Sequence, residues 1–536
     1  MTYIIDDKDY HFYMDKYQVA PILAKALAFF DYDETTVSQL LYGYQPKSLK
    51  HNPALEKISK RLNKAMQNQE SVFVFGDYDA DGVCATTMMI ALLKRMNIRC
   101  GYYIPNRLRE GYGLNKQTVL NAHEKGYALI MTVDNGVSAF SALDTARECG
   151  MDVIICDHHI IPEEMDAPFL LHPSTLPEGY DNLCGAGVVL QLALFLGYDD
   201  SLFWILAMAA TIGDMVEMLR VNRLIVQEGL KRLNQEGCLA ITALLKTTAN
   251  IDEDTIAYQL IPALNTLGRL ADEANPNVLV EYLQLNDPKT INNTAAQISA
   301  LNSKRKNMVR DAANISRSFY ELPNYNVYLS DDYHEGIIGL LANHHMLQEH
   351  KPVLVGTSNL ETLKFSGRSI KGFDIHAQLM AYQHYFSAFG GHKQACGFTI
   401  KTENFPAFID DLQKENGILD QPFPSSVIAV ELNDLTIENI EELDRLKPFG
   451  TGLKRPLFYL RQLPVTKVEL IKNKYPKATG AINGQTVEII SFNDKKIITD
   501  QQGCLSEIIG TLSINYYLNR KKINILVEDV SYFNSD

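Results

Sequence analysis

The sequence predicts an α/β protein of several domains. A parallel-sheet domain and a smaller α/β domain are joined by a long helix and followed by a C-terminal β barrel. Three observations predict this. Three apolar runs, Ser71-VFVFGDYDADG, Ala128-LIMTVDNG and Asp152-VIICDHH, end in aspartate and alternate with helical stretches over 83–96 and 115–125. Continuous apolar strands alternating with helices mark a parallel sheet covered on both faces. A second strand–helix–strand series begins at Asn326-VYLSDD, and past Pro422 and Pro424 the chain alternates in short strands and turns, as small β barrels do.

In chain order, residues 1–70 read as a helical lead-in, with Leu55, Ile58, Leu62 and Ala65 at helical spacing. Residues 71–290 form the parallel-sheet domain, whose ligand-binding edge lies beyond the carboxyl ends of its strands. Three aspartate-bearing loops therefore converge on one edge. Residues 291–325 comprise a basic helix over 292–319, carrying Lys304, Arg305, Lys306, Arg310 and Arg317, and a linker at Pro323. Residues 326–420 form the second α/β domain and 421–536 the barrel, with turns at 473–476 and 483–484.

The chain has 536 residues, 46% hydrophobic and 21% charged. These values exclude a disordered, collagen-like or coiled-coil chain and call for about three domains at roughly 100–200 residues each. The eight cysteines are scattered without CxxC spacing, so they predict reduced thiols rather than a disulfide framework or zinc site. The acidic start is no signal peptide and no apolar run reaches the ~20 residues that span a bilayer. A soluble cytoplasmic protein is expected. The net charge of −14 argues against a nucleic-acid partner if only the sum is considered. Its distribution does not. Residues 453–524 hold twelve Lys and Arg against five Asp and Glu, a local +7, which leaves −21 on the remainder.

Asp77-Tyr78-Asp79-Ala80-Asp81-Gly82 sets three carboxylates at alternate positions on a strand-to-helix turn, a density suited to hard divalent cations. A helix N-terminus decorated with acids is the plainer account of that run alone. Asp157-His158-His159 follows a buried strand directly, and imidazole is costly to bury without a partner. His344-His345, in a helix without neighbouring acids, serves as the contrast. Asp134 alone would read as a turn residue, and Asp214, closing an apolar helix, as a cap. Together these groups would crowd one crevice with carboxylates that cannot all stay ionised without counter-charge. Two divalent cations supply it, and a two-metal site is the usual device for displacement at phosphorus.

These residues, in this order with Gly213-Asp214, resemble the DHH phosphoesterase superfamily. Pro105-NRLREGYGL, Cys184-GAGV, Pro262-ALNTLGRL, His334-EGIIG, Phe365-SGRS, Gly390-GHKQACGF and Pro448-FGTG narrow the resemblance to the RecJ family of bacterial exonucleases, over nearly the whole chain from about Gln67. The resemblance implies a DHH domain, a DHHA1 domain and an OB-like barrel, and 5′→3′ hydrolysis of single-stranded DNA in repair and recombination. It implies Asp79, Asp81, Asp134, His158 and Asp214 as ligands of two Mn²⁺ or Mg²⁺ ions, with Asp134 bridging. His159, Asp157 and Asp77 complete the catalytic set, His159 at the scissile phosphate and Asp77 behind the ligand pair. Arg107, Ser366 and Arg368 match positions that bind the 5′ phosphate. Arg269, Arg305, Gly390, Gly391 and His392 match positions along the DNA path.

Three positions depart from the pattern. Phe75 stands where the superfamily often has His, which implies one metal with fewer protein ligands. Ala263 replaces a common Arg, and Leu453 a common Asn. The implied partners are single-stranded DNA, single-strand-binding protein and a helicase, with the protein itself a monomer. Tyr475, Phe492, Tyr516 and Tyr517 are candidate base stackers in the barrel. A phosphodiesterase of short oligonucleotides or cyclic dinucleotides is the alternative, and a non-catalytic single-strand-binding scaffold the second.

Overall fold

The computed structural model describes the chain except residues 1–2, 7, 112, 163–164, 248–249, 313–314, 316, 360, 418–424, 493–503, 518–519 and 530–536. The break expected at Pro422 and Pro424 lies outside the described residues. The chain divides into two compact units. One comprises residues 47–216 and 225–423, the other 1–46, 217–224 and 424–536.

The larger unit holds two sheets. Its five-stranded sheet runs Cys100–Tyr103, Val72–Phe75, Leu129–Val133, Asp152–Cys156, Phe169–Leu171, every pair parallel. Leu129–Val133 is buried throughout, because helices cover both faces, and this is why an alternating pattern is missing from the sequence. Helix Ala80–Arg95 is buried continuously from Ala80 to Leu93. Helix Pro53–Gln67 starts at Asn52, whose side chain accepts from the Leu55 amide at 3.1 Å. It buries Leu55, Ile58, Leu62 and Ala65, and its Arg61 bonds Asp152 at 2.6 Å and Glu70 at 2.8 Å.

The six-stranded sheet runs Phe386–His392, Ala395–Lys401, Thr362–Arg368, Val353–Ser358, Asn326–Leu329, Ser318–Glu321. Only Asn326–Leu329 with Val353–Ser358 is parallel. Phe365 stacks between Phe398 and Phe405, at ring separations of 5.0 and 5.4 Å.

The helix read over 292–319 runs Pro288–Asp311. It starts earlier because Asp287 accepts from the Thr290 amide at 2.8 Å with Pro288 in the first turn. Phe319 and Tyr320 instead belong to strand Ser318–Glu321, paired with Asn326–Leu329. The expected linker at Pro323 is the turn of that hairpin, closed by Leu322 N–H to Tyr325 O at 2.9 Å. His345 also differs from its reading: it is buried, bonds Glu349 at 3.0 Å one turn on, and stacks on Tyr328.

In the second unit eight strands form one sheet: Tyr3–Asp6, Ser425–Ala429, Phe458–Pro464, Cys504–Tyr517, Arg520–Asp529, Gln485–Ile490, Tyr475–Ile482, Lys467–Ile471. The lead-in is helical at His11–Tyr17, Pro21–Phe30 and Glu34–Tyr42, but residues 3–6 are a strand pairing parallel with Ser425–Ala429. That pairing is non-local, so periodicity near the start carried no sign of it. The sheet curls until Thr466, just past Phe458–Pro464, donates its N–H to Thr479 O at 2.8 Å. Its outermost strands are not hydrogen-bonded to one another among the described residues. The expected barrel is therefore an open one. The motif at Pro448 is held within this unit, as Arg223 donates to Leu446 O at 2.8 Å, Pro448 O at 3.1 Å and Arg445 O at 2.9 Å. No described helix is long and apolar enough to cross a membrane.

Candidate metal centre and phosphate pocket

The acidic loops meet at the carboxyl edge of the parallel sheet. Asp79 caps helix Ala80–Arg95, accepting from the Asp81 and Gly82 amides at 3.0 Å each, so the helix-start account of this run holds and is compatible with the metal account. Asp81 is buried and accepts from the amides of Gly185 at 2.6 Å and Ala186 at 2.7 Å. These are the first amides of helix Gly185–Phe195, whose positive end favours a carboxylate. A Cβ on Gly185 would lie 2.6 Å from the Asp134 Cβ, so only glycine lets that helix approach. Sequence reasoning singled out Cys184-GAGV without a role. Its run of small residues was the available signal.

Asp134 adopts φ +61° and lies 3.1 Å from His158 Nε2. His158 also lies 3.8 Å from Asp81 and 3.8 Å, through Nδ1, from Asp214. Asp157 accepts from Val137 N at 3.1 Å, His158 N at 2.7 Å and His159 Nδ1 at 2.8 Å. His172, which sequence reasoning missed, holds this loop from behind. Its Nδ1 accepts from Ser174 N at 3.1 Å, leaving Nε2 to donate to His159 O at 3.0 Å. Three sets of ligand atoms gather within 4.8 Å of one another: Asp77, Asp79 and Asp134; Asp81, His158 and Asp214; Asp134, His158 and His159.

Burial raises the carboxyls of Asp77 and Asp134, with neighbouring aspartates adding to the shift. Burial and the charge of Asp79 push Asp81 to about 7. Burial and Asp81 push Asp214, at the negative end of its helix, to about 8. Burial would raise Asp157 too, but the hydrogen bond and charge of His159, with the amides of Val137 and His159, outweigh it and hold it at about 2. Burial would lower His159, but the same side-chain bond and the charges of Asp157, Asp214 and Asp81 together raise it. Burial and the charge of His159 lower His158 to about 4, so its imidazole is neutral and free to ligate. Asp77 Oδ1 is buried without any hydrogen-bond partner. An orphaned carboxylate oxygen, surrounded by oxygen and imidazole donors, fits a hard divalent cation. Phe75 packs into the core beside Tyr103 and offers no ligand, while Asp77 adds a carboxylate to the group with Asp79 and Asp134.

A second cluster carries the opposite sign. Arg107 lies over the ring of Tyr78, 4.8 Å from its centroid. Burial, reinforced by the charges of Arg107, Arg305 and Arg368, lowers Arg269 to about 10. Arg305 is buried on its helix, its guanidinium 3.1 and 3.0 Å from Asn302 Oδ1. Arg368 donates to Ser366 Oγ at 3.1 Å and to Gly367 O at 2.8 Å. None of these four arginines is ion-paired with a carboxylate among the described residues. Arg269 and Arg305, read as points along a strand path, thus join Arg107, Ser366 and Arg368. Gly390, Gly391 and His392 lie on the exposed edge strand Phe386–His392, and the charge of His392 is felt at His158.

In the smaller unit, Phe492 is 55% and Tyr516 59% exposed, more open than core aromatics. Tyr475 packs edge-on to Phe492 with ring centres 5.3 Å apart. Tyr516 donates to Glu441 at 2.6 Å. The side chain of Tyr517 lies outside the described residues.

Comparison with known proteins identifies the domains. Residues 71–213 match the DHH family N-terminal domain, 323–416 the DHHA1 domain and 428–529 the RecJ OB domain. The single-stranded-DNA-specific exonuclease RecJ of Bacillus subtilis is 30% identical, over 96% of this chain and 69% of its own length. Its counterpart in Haemophilus influenzae is 28% identical over 88% of this chain and 90% of its own. The crystal structure of RecJ from Thermus thermophilus in complex with Mn²⁺ superposes with a TM-score of 0.81 at 21% identity. It covers 99% of this chain and 78% of that one.

Proposed function

The chain belongs to the RecJ family of single-stranded-DNA-specific exonucleases, and from that premise we propose that it hydrolyses single-stranded DNA from the 5′ end, releasing mononucleotides. The observation that carries the reading is the pairing of two clusters of opposite sign. An acid-rich crevice stands beside four arginines without carboxylate partners among the described residues, and Tyr78 belongs to the loop of one while lying under Arg107 of the other.

Asp77, Asp79, Asp81, Asp134, His158 and Asp214 would hold two divalent cations, Mn²⁺ or Mg²⁺, which supply an activated water and neutralise charge on the scissile phosphate. The protein's own groups do the rest. Asp157 stays ionised and fixes His159 through Nδ1 at 2.8 Å. His159 therefore keeps its proton and presents Nε2–H to an oxygen of the phosphate, stabilising charge that develops there. Arg107, Arg269, Arg305, Ser366 and Arg368 would grip the terminal 5′ phosphate, and gripping one end sets the polarity. Gly390, Gly391 and His392 would contact the backbone beyond the cleaved bond. Phe492 and Tyr475 would stack on bases further along.

Labelled single-stranded, duplex and RNA oligonucleotides incubated with Mn²⁺ or Mg²⁺ test the reading. Release of 5′ mononucleotides from 5′-phosphorylated single-stranded DNA is expected. Cleavage confined to di- and trinucleotides would favour the oligonucleotide phosphodiesterase instead, a reading disfavoured by the RecJ OB match over 428–529. The proposal extends to a cytoplasmic monomer, to a role in DNA repair and recombination, and to single-strand-binding protein and a helicase as partners.

A further inference from the structure

His334-Glu335-Gly336 belongs to neither cluster, yet it touches both halves of the arginine pocket. His334 Nδ1 accepts from Gly336 N–H at 3.0 Å, which places the ring proton on Nε2, and Nε2 donates to Asp272 Oδ1 at 3.1 Å. Asp272 follows Arg269 by three residues. A Cβ on Gly336 would overlap the carbonyl oxygen of Arg269, so the two backbones meet only because this position has no side chain. On the other flank, a Cβ on Gly339 would lie 3.1 Å from Ser366 Oγ and 3.2 Å from Arg368 Nη2. Glu335 accepts from Lys364 at 2.7 Å, on the strand that carries Ser366 and Arg368.

Four guanidinium groups without acid partners among the described residues repel one another, and none of their hydrogen bonds among those residues ties Arg269 to Arg368. A phosphate is held well only when donors on both sides lie within hydrogen-bond distance, and an error near 1 Å can cost up to about a hundredfold. We propose that segment 334–339 is the spacer that sets the separation of Arg269 from Arg368. The His334–Asp272 hydrogen bond fastens it, making both residues positioning residues for the 5′ phosphate. The inference rests on the pocket reading above.

The test uses the full chain with Mn²⁺ and two single-stranded oligonucleotides, 5′-phosphorylated and 5′-hydroxyl. Asp272 is 43% exposed in its side chain, so its substitution spares the core. Asp272→Ala is expected to raise KM for the phosphorylated strand about tenfold, with kcat and the rate on the hydroxyl strand held within about twofold. Asp272→Asn keeps the acceptor oxygen and should stay close to the parent. Equal loss on both strands, or an unchanged KM for the phosphorylated one, overturns the inference. Arg368→Ala is measured in parallel. If it abolishes the preference while Asp272→Ala does not, the spacer alone is refuted. If Arg368→Ala leaves the preference intact, the pocket reading fails and the inference falls with it.

Discussion

In the acid crevice, carboxylates are brought together by backbone amides: Asp79 and Asp81 accept from helix starts, and Asp157 from Val137 and His158. In the arginine pocket, the guanidinium groups are held by neutral oxygens, those of Asn302, Ser366 and Gly367. Both regions thus use hydrogen bonds to aim charges without cancelling them. In the proposed function, cancellation is left to what binds, cations in one and a phosphate in the other. The difference lies in how many chain segments each needs. The crevice gathers at the carboxyl edge of one sheet, whereas the pocket takes Arg107 from beside that sheet, Arg269 and Arg305 from helices Ile261–Arg269 and Pro288–Asp311, and Arg368 from the six-stranded sheet. Preorganisation is therefore secure in the first and depends on the contact between separate elements in the second.

That contrast can be broken in four ways. Asp134→Ala should cause the largest effect, a loss of at least about a thousandfold in nuclease rate. Its circular dichroism and thermal midpoint should stay near the parent, since it removes a like-charge repulsion as well as a ligand. A variant that still digests 5′-phosphorylated single strands would remove Asp134 from the site. Next, Arg269→Ala should raise KM for 5′-phosphorylated strands by roughly tenfold to a hundredfold, one or two charge-assisted hydrogen bonds. The rate on 5′-hydroxyl strands should barely move. A uniform fall on both substrates would instead place Arg269 in general structure.

A third measurement concerns stability. Adding Mn²⁺ to metal-free protein should raise the thermal midpoint, by about 2.7 kcal/mol of linkage at a hundred times Kd, because the ions bind only the folded cluster. Asp81→Asn combined with Asp214→Asn should abolish that rise, and a full shift in the double variant would disprove the donor set. The smallest effect is expected from Phe492→Ala. It should weaken binding of long single strands several-fold, about one stacked base, without altering hydrolysis of trinucleotides. Equal losses on both lengths would argue that Phe492 packs rather than stacks.

Much of the crevice was legible because its motifs sit at strand ends, where a parallel sheet must gather them. Asp77, Asp79, Asp81, Asp134 and Asp157 needed only the order of the elements. Other features depended on contacts distant in sequence. Arg305, on the helix read as basic, is buried and bonded to Asn302, which Thr266 of a distant helix also bonds. Helix Pro288–Asp311 stops short of 319 because a hairpin claims Ser318–Glu321. His345 lacked an acid in the reading of its motif, yet Glu349 reaches it one turn on.

The sequence by itself determined the domain classes, the acid and histidine set and the family, since apolar period, strand-end position and motif order are properties of neighbouring residues. Tertiary structure alone decided that residues 3–6 are a strand of the eight-stranded sheet, that the barrel stays open, and that Arg269 and Arg305 join Arg107 and Arg368. Each of those outcomes pairs segments far apart in the chain, and no local periodicity encodes which distant partner will cover a face or share a pocket.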